Sequence, residues 1–448
     1  MSLRRRCFDE RGAGPPQAAL TLPRGRRRGF AEHRSAPPQP PGPARPGVGR
    51  ASRQEGSPVN GLTLQFEPSP EQRMLQEAAT RYMEKSYGFH ERQRIVAAGV
   101  EPDEGKWRDY ADMGWLGLPL PEADGGSGGS VLDLFLLAQA FGRALAVEPY
   151  LATVVLGGMT VAAAGTPQQR ARILPGVVAG KTLLALACAE PQAGYDLFDV
   201  QTQARERGDG FVLDGDKCVV LGAAPAHHLI VSARTAGPRH GRDGISLFLV
   251  DRTAPGVTAR AYGTIDGRRA AEVKLAGVHV GRGALLGELH GAAVHIDTAQ
   301  AVGTLMLLGE AVGCLEGALA CTIEYHRNRM QFGQPLSSFQ ALRHRVADLY
   351  VAKEETRALC LLAAHAWAAG EAGAAQAIAG AKAWVGQVGR RAAEEAVQLH
   401  GAIAITDEYV VGHYLKRMVA IDRTFGDAGT ALDRYIDLGR GPAEAVRA

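Results

Sequence analysis

The chain has few cysteines, and their spacing matches neither a metal site nor a disulfide framework. None of the six cysteines in its 448 residues belongs to a Cys-x-x-Cys pair. They are Cys7, Cys188, Cys218, Cys314, Cys321 and Cys360. This spacing argues against a small disulfide-stapled domain, predicts no metal site and favours a reducing cytoplasm. Cys314 and Cys321 fall on one predicted helix, so we expect them to pack in a core.

Long apolar runs are also missing. The Val154–Ala164 stretch is too short to cross a bilayer and is interrupted by Gly157 and Gly158. We therefore expect no membrane span. Charged residues at 22% and hydrophobic residues at 46% are typical of a soluble globular protein.

Positive charge is concentrated in one tail. Residues 1–57 contain twelve Arg and four Asp or Glu, a net charge of +8, whereas the whole chain carries +3. The remainder is therefore mildly acidic, at about −5, which gives no support for nucleic-acid binding. The tail is rich in Arg and Pro without apolar periodicity, so residues 1–60 are predicted to be a disordered extension. An over-extended translation start and a targeting or nucleic-acid tail are the alternatives.

Three segments with different periodicity follow this tail. Ser69-Pro70 is typical of a helix N-cap and first helical position, and residues 61–182 are predicted to form a helical domain. Residues 183–290 change to short β-rich stretches separated by Gly and Asp turns, which favours an antiparallel barrel or sandwich. Residues 291–448 return to long amphipathic segments, which favours a four-helix bundle. The sequence thus predicts an α+β multidomain fold.

The individual elements are predicted as follows. Strands are expected at Leu183–Glu190, Val200–Ala204, Gly210–Leu213, Lys217–Leu221, His228–Ala233, Ile245–Val250 and Ala271–Leu275, with hairpin turns at 205–210 and 214–216. The long helices are expected at 295–328, 338–369, 375–400 and 407–419.

A helix–turn–helix corner at residues 323–349 is the most distinctive stretch of the chain. The helical pattern breaks at Phe332-Gly333-Gln334-Pro335, and Ser337 or Ser338 can cap the next helix. The run Arg-x-x-Phe-Gly-x-Pro-Leu-x-x-Phe-Gln, which starts at Arg329, resembles the signature corner of the acyl-CoA dehydrogenases. This resemblance covers residues 60–448 and implies the acyl-CoA dehydrogenase fold. It also implies that Arg329, Phe332 and Gln340 contact the adenosine diphosphate half of an FAD held mainly by a neighbouring subunit.

The resemblance is less complete at the flavin ring. Ala189 stands where the family usually has a Thr that hydrogen-bonds the ring. Val219 and Leu221 replace the Trp and Thr that usually meet it, and Tyr195 replaces a Ser. These residues are predicted to contact flavin, partly through backbone groups, with ordinary strand packing as the alternative.

A third matching segment is predicted to meet the cofactor near its pyrophosphate. Gln398 and Gly401 keep positions of the family's Gln-x-x-Gly-Gly motif, although two later glycines are alanines. His400 is either a donor to the cofactor or a packed interface residue. An Arg that family members commonly carry near Thr304 is absent.

The most informative departure lies near the C-terminus. The family's catalytic segment carries a Glu base where this chain has Gly426, and Asp427 follows, shorter and one position later. Asp427 is thus the candidate base, displaced from the usual position. The surrounding residues resemble the small subunit of pimeloyl-CoA dehydrogenase-type enzymes, which pairs with a large subunit that keeps its Glu.

The resemblance predicts an FAD-dependent acyl-CoA dehydrogenase subunit in such a heteromer. Its expected partners are an acyl-CoA substrate, the homologous large subunit and an electron-transfer flavoprotein. One alternative is a self-sufficient dehydrogenase, or another flavin enzyme of the same fold, that uses Asp427. A non-catalytic homologue is the other, and a homo-oligomer is the alternative to the heteromer.

Overall fold

The first helix begins at the cap that the sequence predicts. In the computed structural model, which describes residues 67–440, the Ser69 hydroxyl accepts a hydrogen bond from the Gln72 N–H at 3.2 Å. The Gln72 side chain in turn accepts one from the Ser69 N–H at 3.0 Å. Pro70 follows at the first helical position. The extension predicted for residues 1–60 lies outside the described residues.

In the described part of the chain, which starts at residue 67, six α-helices precede the sheet. They are α1 (Pro70–Ser86), α2 (Phe89–Ala98), α3 (Glu104–Asp112), α4 (Val131–Ala144), α5 (Met159–Ala164) and α6 (Pro167–Val178). A π-helical segment, Leu151–Gly158, leads directly into α5. Helix α4 is apolar on most sides because it packs between α1 and the long helix α7 (Ala293–Asn328).

Two glycines let α4 and α7 approach closely. A Cβ atom at Gly142 would lie 2.0 Å from the Glu310 carbonyl oxygen, and one at Gly313 would lie 2.0 Å from the Gln139 carbonyl oxygen. Any side chain at either position would therefore force the two helices apart.

The middle segment forms one eight-stranded sheet. Its strands are β1 (Leu184–Ala187), β2 (Gln203–Arg207), β3 (Gly210–Leu221), β4 (His228–Arg234), β5 (Ile245–Asp251), β6 (Val257–Gly263), β7 (Arg269–Gly281) and β8 (Leu285–Leu286). The order is β6-β7-β3-β2-β4-β5-β8, and β1 pairs with β4. Most pairs are antiparallel, as predicted, but β1 and β2 are each parallel to β4. A crossover of this kind leaves no local turn signal in the sequence.

Three local predictions in the sheet are wrong. Residues 214–216 do not form a hairpin: the two short strands expected there are one strand, β3, with register shifts against β7. The strand expected at Val200–Ala204 is placed later, at Gln203–Arg207, where it pairs with β3. Strand β6 was not predicted, because its side chains alternate between exposed and half-buried without an apolar face.

The C-terminal segment is helical, as predicted. It contains α7, α8 (Gln340–Ala368), α9 (Ala374–Trp384), α10 (Arg390–His400), α11 (Val411–Arg423) and α12 (Ala428–Arg440). A π-helical turn, Val385–Gly389, joins α9 to α10, so the predicted helix at 375–400 is continuous but irregular. Helix α12 extends the bundle beyond the four predicted segments.

The predicted serine cap of α8 is wrong. Phe339 occupies the N-cap position and makes no side-chain capping bond. Ser337 and Ser338 belong to a short 3₁₀ turn, in which the Ser338 hydroxyl donates to the Pro335 carbonyl at 2.7 Å.

By length and composition alone, helix α7 could cross a membrane, although it contains no long uninterrupted apolar run. Within the described part of the chain, 78% of its most apolar window is buried. Packing against α4, α8 and α11 accounts for this apolar character, as in the core helix of a folded domain.

Candidate active site

A cavity of about 340 Å³ lies where the sheet meets the π-helical segment, α7 and α11. It is lined by Ala189, Val219 and Leu221, the three residues predicted to contact the flavin ring, and by Tyr195. Leucines, isoleucine and alanine form much of the remaining wall. Its size is at the lower end of ligand pockets, which measure about 300–1,000 Å³.

The wall at β3 is strained. Val219 has a φ of 51°, a conformation that β-branched residues rarely adopt, and its side chain is 56% exposed. The register between β3 and β7 shifts from Lys217 to Val220, which takes Cys218 and Val219 out of the β3–β7 pairing. The Cys218 N–H instead donates to the Ala189 carbonyl at 2.9 Å. The predicted flavin contacts after β1 and in β3 are therefore held together by the backbone.

A buried cluster of charges forms part of the cavity wall, which Asp266, Arg268 and Arg417 line. Arg417 of α11 donates to Asp266 of the β6–β7 turn at 2.6 Å and to Glu310 of α7 at 2.8 Å. Arg268 donates to the same Glu310 oxygen at 2.9 Å. Burial of Asp266 opposes its ionisation, but the charges of Arg417 and Arg268 outweigh burial and lower its pKa to about 2.

Sequence reasoning missed these four residues. Arg417 lies in the run HYLKR at 413–417, and nothing local in that run connects it to Asp266 or Glu310. The cluster forms because three distant elements converge. An Arg within an otherwise apolar helix face was the available signal.

The carboxylate of the candidate base Asp427 lies outside this cavity and its charge cluster. One carboxylate oxygen of Asp427 accepts from the Thr430 N–H at 3.0 Å, and the other lies 2.9 Å from an Arg423 nitrogen. Asp427 therefore caps the N-terminus of α12. The Thr430 N–H holds the pKa of Asp427 below its ordinary value despite partial burial, and Arg423 contributes to this. Asp427 borders a separate polar groove and is not among the residues that line the cavity.

The turn before Asp427 has an unusual backbone. Phe425 lines the cavity with a φ of 61°, and Gly426 follows with a φ of 108°. Gly426 is buried. The position of the family's Glu thus lies in a backbone conformation that disfavours any residue with a side chain.

The residues of the corner lie on the surface. Short strands β9 (Met330–Gln331) and β10 (Gln334–Pro335) pair there, with Phe332 (φ 55°) and Gly333 (φ 78°) as the turn. The Phe332 side chain is 88% exposed, and Arg329 and Gln340 are exposed as well. None of the three lines the cavity.

Gln398 and Gly401 are also exposed, at the end of α10. Gly401 adopts a φ of 71° as the helix ends, and His400 before it is buried. Nδ1 of His400 bonds the Ala396 carbonyl at 2.7 Å, and its ring packs 4.7 Å from that of Tyr325. Within one chain, therefore, Ala189, Val219 and Leu221 converge, whereas the five other predicted cofactor contacts do not reach them. The cofactor roles of all eight residues stay predictions.

Family models describe nearly all of this region. The acyl-CoA dehydrogenase N-terminal domain matches residues 69–181, the middle domain residues 185–278 and the C-terminal domain residues 290–431. The chain belongs to the acyl-CoA dehydrogenase family. It is a flavin-dependent oxidoreductase whose cofactor is FAD, and the predicted fold class is confirmed.

The similarity to known proteins extends over most of this chain and over nearly the whole of each relative. The chain is 30% identical to the probable acyl-CoA dehydrogenase YngJ of Bacillus subtilis, over 86% of this chain and 98% of that protein. It is 28% identical to subunit CarC of the caffeyl-CoA reductase–Etf complex of Acetobacterium woodii, over 77% and 91%. A solved variant of the Tcur3481-Tcur3483 steroid ACAD is 32% identical, with a TM-score of 0.73, over 84% and 99%.

The cavity fits the ring of an FAD. Its apolar walls suit a flat aromatic ring system, and the strained loop at Val219 leaves that side chain open to the cavity. Ala189, Val219 and Leu221 would hold the ring by packing and by backbone groups. The Thr and Trp side chains usual in acyl-CoA dehydrogenases are absent here, so we expect fewer side-chain hydrogen bonds to the ring.

Proposed function

We propose that this chain is one subunit of a heteromeric acyl-CoA dehydrogenase, in which a related subunit supplies the catalytic base. This chain contributes its exposed corner to a flavin shared with that partner. The finer relationship, to the small subunit of pimeloyl-CoA dehydrogenase-type enzymes, belongs to the same proposal and rests on residues 412–428.

One observation carries the proposal. Among the described residues that line the cavity, the one carboxylate is that of Asp266. Its pKa of about 2 and its bond to Arg417 make it a poor proton acceptor. A general base is most effective when its pKa lies near the working pH and when it can reach the proton. Neither Asp266 nor Asp427 meets both conditions.

Bound between these residues, FAD would supply the hydride acceptor for the acyl chain. This chain's own residues have two tasks around it. The apolar walls exclude water from the ring, and the charge cluster fixes α11, α7 and the β6–β7 turn relative to one another. The proton beside the thioester would be removed by the partner's carboxylate.

The exposed corner supports a shared site. Arg329 and Phe332 do not line the cavity of their own chain, and Phe332 adopts a strained φ while 88% exposed. Strain of this kind commonly marks a binding position. A phosphate of an FAD bound to a neighbouring subunit would pair with the guanidinium of Arg329.

The relatives support the remaining parts. The CarC relative is a subunit of a complex with Etf, and the steroid ACAD carries the double designation Tcur3481-Tcur3483. We infer that this chain acts on an acyl-CoA and passes electrons to an electron-transfer flavoprotein. A cytoplasmic location is inferred from the cysteine pattern.

The test is Asp427→Asn in the complex purified with its co-expressed partner. Asn is as good an N-cap as Asp, so the turn is kept while the candidate base is removed. We expect dehydrogenase activity within a few-fold of the parent. The chain expressed alone should bind FAD but show little activity.

The control is Asp427→Ala, which removes the cap and should cost about 1 kcal/mol of stability without abolishing activity of the complex. A loss of about three orders of magnitude in Asp427→Asn, with folding and flavin content intact, would make Asp427 the base. The hypothesis of a self-sufficient enzyme would then replace that of a heteromer.

A further inference from the structure

A buried lysine holds the turn where the family's Glu is missing. Lys382 of α9 is 3% exposed, and its ammonium donates to three carbonyl oxygens. These belong to Ile421 at 2.7 Å, Asp422 at 2.8 Å and Gly426 at 2.8 Å. A lysine ammonium has three donors, so every one of them is used.

The position of this ammonium has a clear electrostatic reason. The last carbonyls of a helix lack partners within the helix and carry partial negative charge. Lys382 satisfies two of them at the end of α11 and adds the Gly426 carbonyl from the following turn. Burial lowers the pKa of Lys382 to about 8, against the opposing charges of Asp422 and Asp427, so the amine is mostly charged at pH 7.

Asp422 fixes the same turn from the other side. Its carboxylate accepts from the Ala428 N–H at 3.0 Å. Gly386 leaves room for this arrangement, because a Cβ atom there would lie 2.2 Å from the Asp422 carboxylate. The segment between α11 and α12 is thus held at both ends.

Phe425 is the residue that this double attachment constrains. Its ring lies against Gly303 of α7, where an added Cβ would come within 2.9 Å of the ring. Phe425 lines the flavin-side cavity and also a second cavity of about 180 Å³, which Lys382 borders. The two cavities share Phe425, Tyr195, Leu197 and Gln300 as a common wall.

We propose that Lys382 is a positioning residue: its ammonium holds Phe425 in its strained conformation as the wall between the two cavities. It thereby sets the size of the space beside the flavin. This role does not depend on which subunit supplies the base. The charged groups around it are Asp422, Asp427, Arg417 and Arg423, with Arg434 of α12 on the second cavity.

The experiment replaces Lys382 by Met in the full-length chain. Hydrogen exchange of the amides in residues 421–431 is measured without cofactor, and the visible absorbance and circular dichroism of bound flavin are measured with FAD. We expect exchange in this segment to rise about tenfold or more, since charge-assisted hydrogen bonds are lost. We also expect an altered flavin spectrum.

Lys353→Met is the matched control. Lys353 is also a buried lysine of the bundle, 9% exposed, but it pairs with Glu354 on α8 and makes no bond to the turn. It should lower the melting temperature without changing exchange at 421–431 or the spectrum. Equal effects of the two variants would overturn the proposal.

A milder variant keeps the proposal testable if Lys382→Met does not fold. Lys382→Gln keeps an amide with two donors, and we expect intermediate exchange and an intermediate spectrum. Exchange and spectra indistinguishable from the parent in this variant would overturn the proposal. The exchange measurement needs neither cofactor nor partner subunit, so its failure is separate from failure of the heteromer.

Discussion

Two phenylalanines in this protein adopt nearly the same rare backbone conformation, in opposite surroundings. Phe425 (φ 61°) is half-buried, packs against α7 and follows a helix end held by Lys382. Phe332 (φ 55°) is 88% exposed at the tip of a two-residue turn. Strained residues persist where their surroundings over-determine them. The first turn has its support inside the chain, so we expect the second to find its support in a partner or cofactor.

The largest effect should come from removing the buried arginine that holds α11 against the rest of its own chain. Arg417→Ala would leave Asp266 and Glu310 buried without their main cation, which typically costs about 3–5 kcal/mol. We expect severe loss of stability in denaturant unfolding of the isolated chain. The control is Arg423→Ala, a solvent-exposed arginine of the same helix, which should cost under about 1 kcal/mol. Similar losses for both would show that the buried cluster contributes little.

If a cofactor supports the exposed corner, mutating that corner should lower the affinity for FAD and leave the stability of the cofactor-free chain unchanged. Arg329→Ala removes a charge-assisted hydrogen bond worth about 1.5–3 kcal/mol, so FAD should bind about tenfold to a hundredfold more weakly. The melting temperature of the cofactor-free chain should not change. Arg327→Ala, an exposed neighbour at the end of α7, should affect neither property. Unchanged flavin occupancy of Arg329→Ala at limiting FAD would contradict the assignment.

A third test uses pH to probe Glu101, a buried carboxyl group between α2 and the β6–β7 turn. Burial raises the pKa of Glu101 from 4.5 to about 7. The folded state therefore holds a proton that the unfolded state has released between these pH values, and stability falls as pH rises from 4.5 to 7. Glu101→Gln should match the parent near pH 4.5 and be more stable by up to about 3 kcal/mol at pH 8.

Chemical denaturation of both proteins at the two pH values would check this. A constant difference across the pH range would mean that the ionisation of Glu101 is not involved. Glu91→Gln is a suitable control, because the pKa of Glu91 is lowered, to about 2, by Arg94 and Lys106.

The smallest effect concerns the exposed turn itself. Phe332→Gly relieves the positive φ and removes little buried surface beyond the ring contact with Phe339, so we expect stability of the isolated chain to change by less than about 1 kcal/mol. Phe425→Gly relieves similar strain but loses the packing on Gly303, and should destabilise. Thermal unfolding of both variants compares them directly. If Phe332→Gly destabilised as strongly, the corner would have support within the chain.

Much of the architecture could be predicted because it depends on neighbouring residues. The Ser69 cap, the turn at Phe332-Gly333 and the end of α10 at Gly401 are decided by residues within a few positions. The absence of Glu at position 426 is likewise visible in the sequence alone. Local signals failed where partners are distant: the turn expected at Gly215 became a bulge because β3 continues along β7.

The sequence by itself determined the order of helical and β segments, the family and the missing base. Only the tertiary structure decided what the remaining charges do. Arg417 meets Asp266 and Glu310 across more than a hundred residues, and Lys382 reaches Gly426 from another helix. Asp427 became an N-cap because α12 begins directly after it. Burial and electrostatics act through space, so the role of each carboxylate and cation follows from the elements that fold around it.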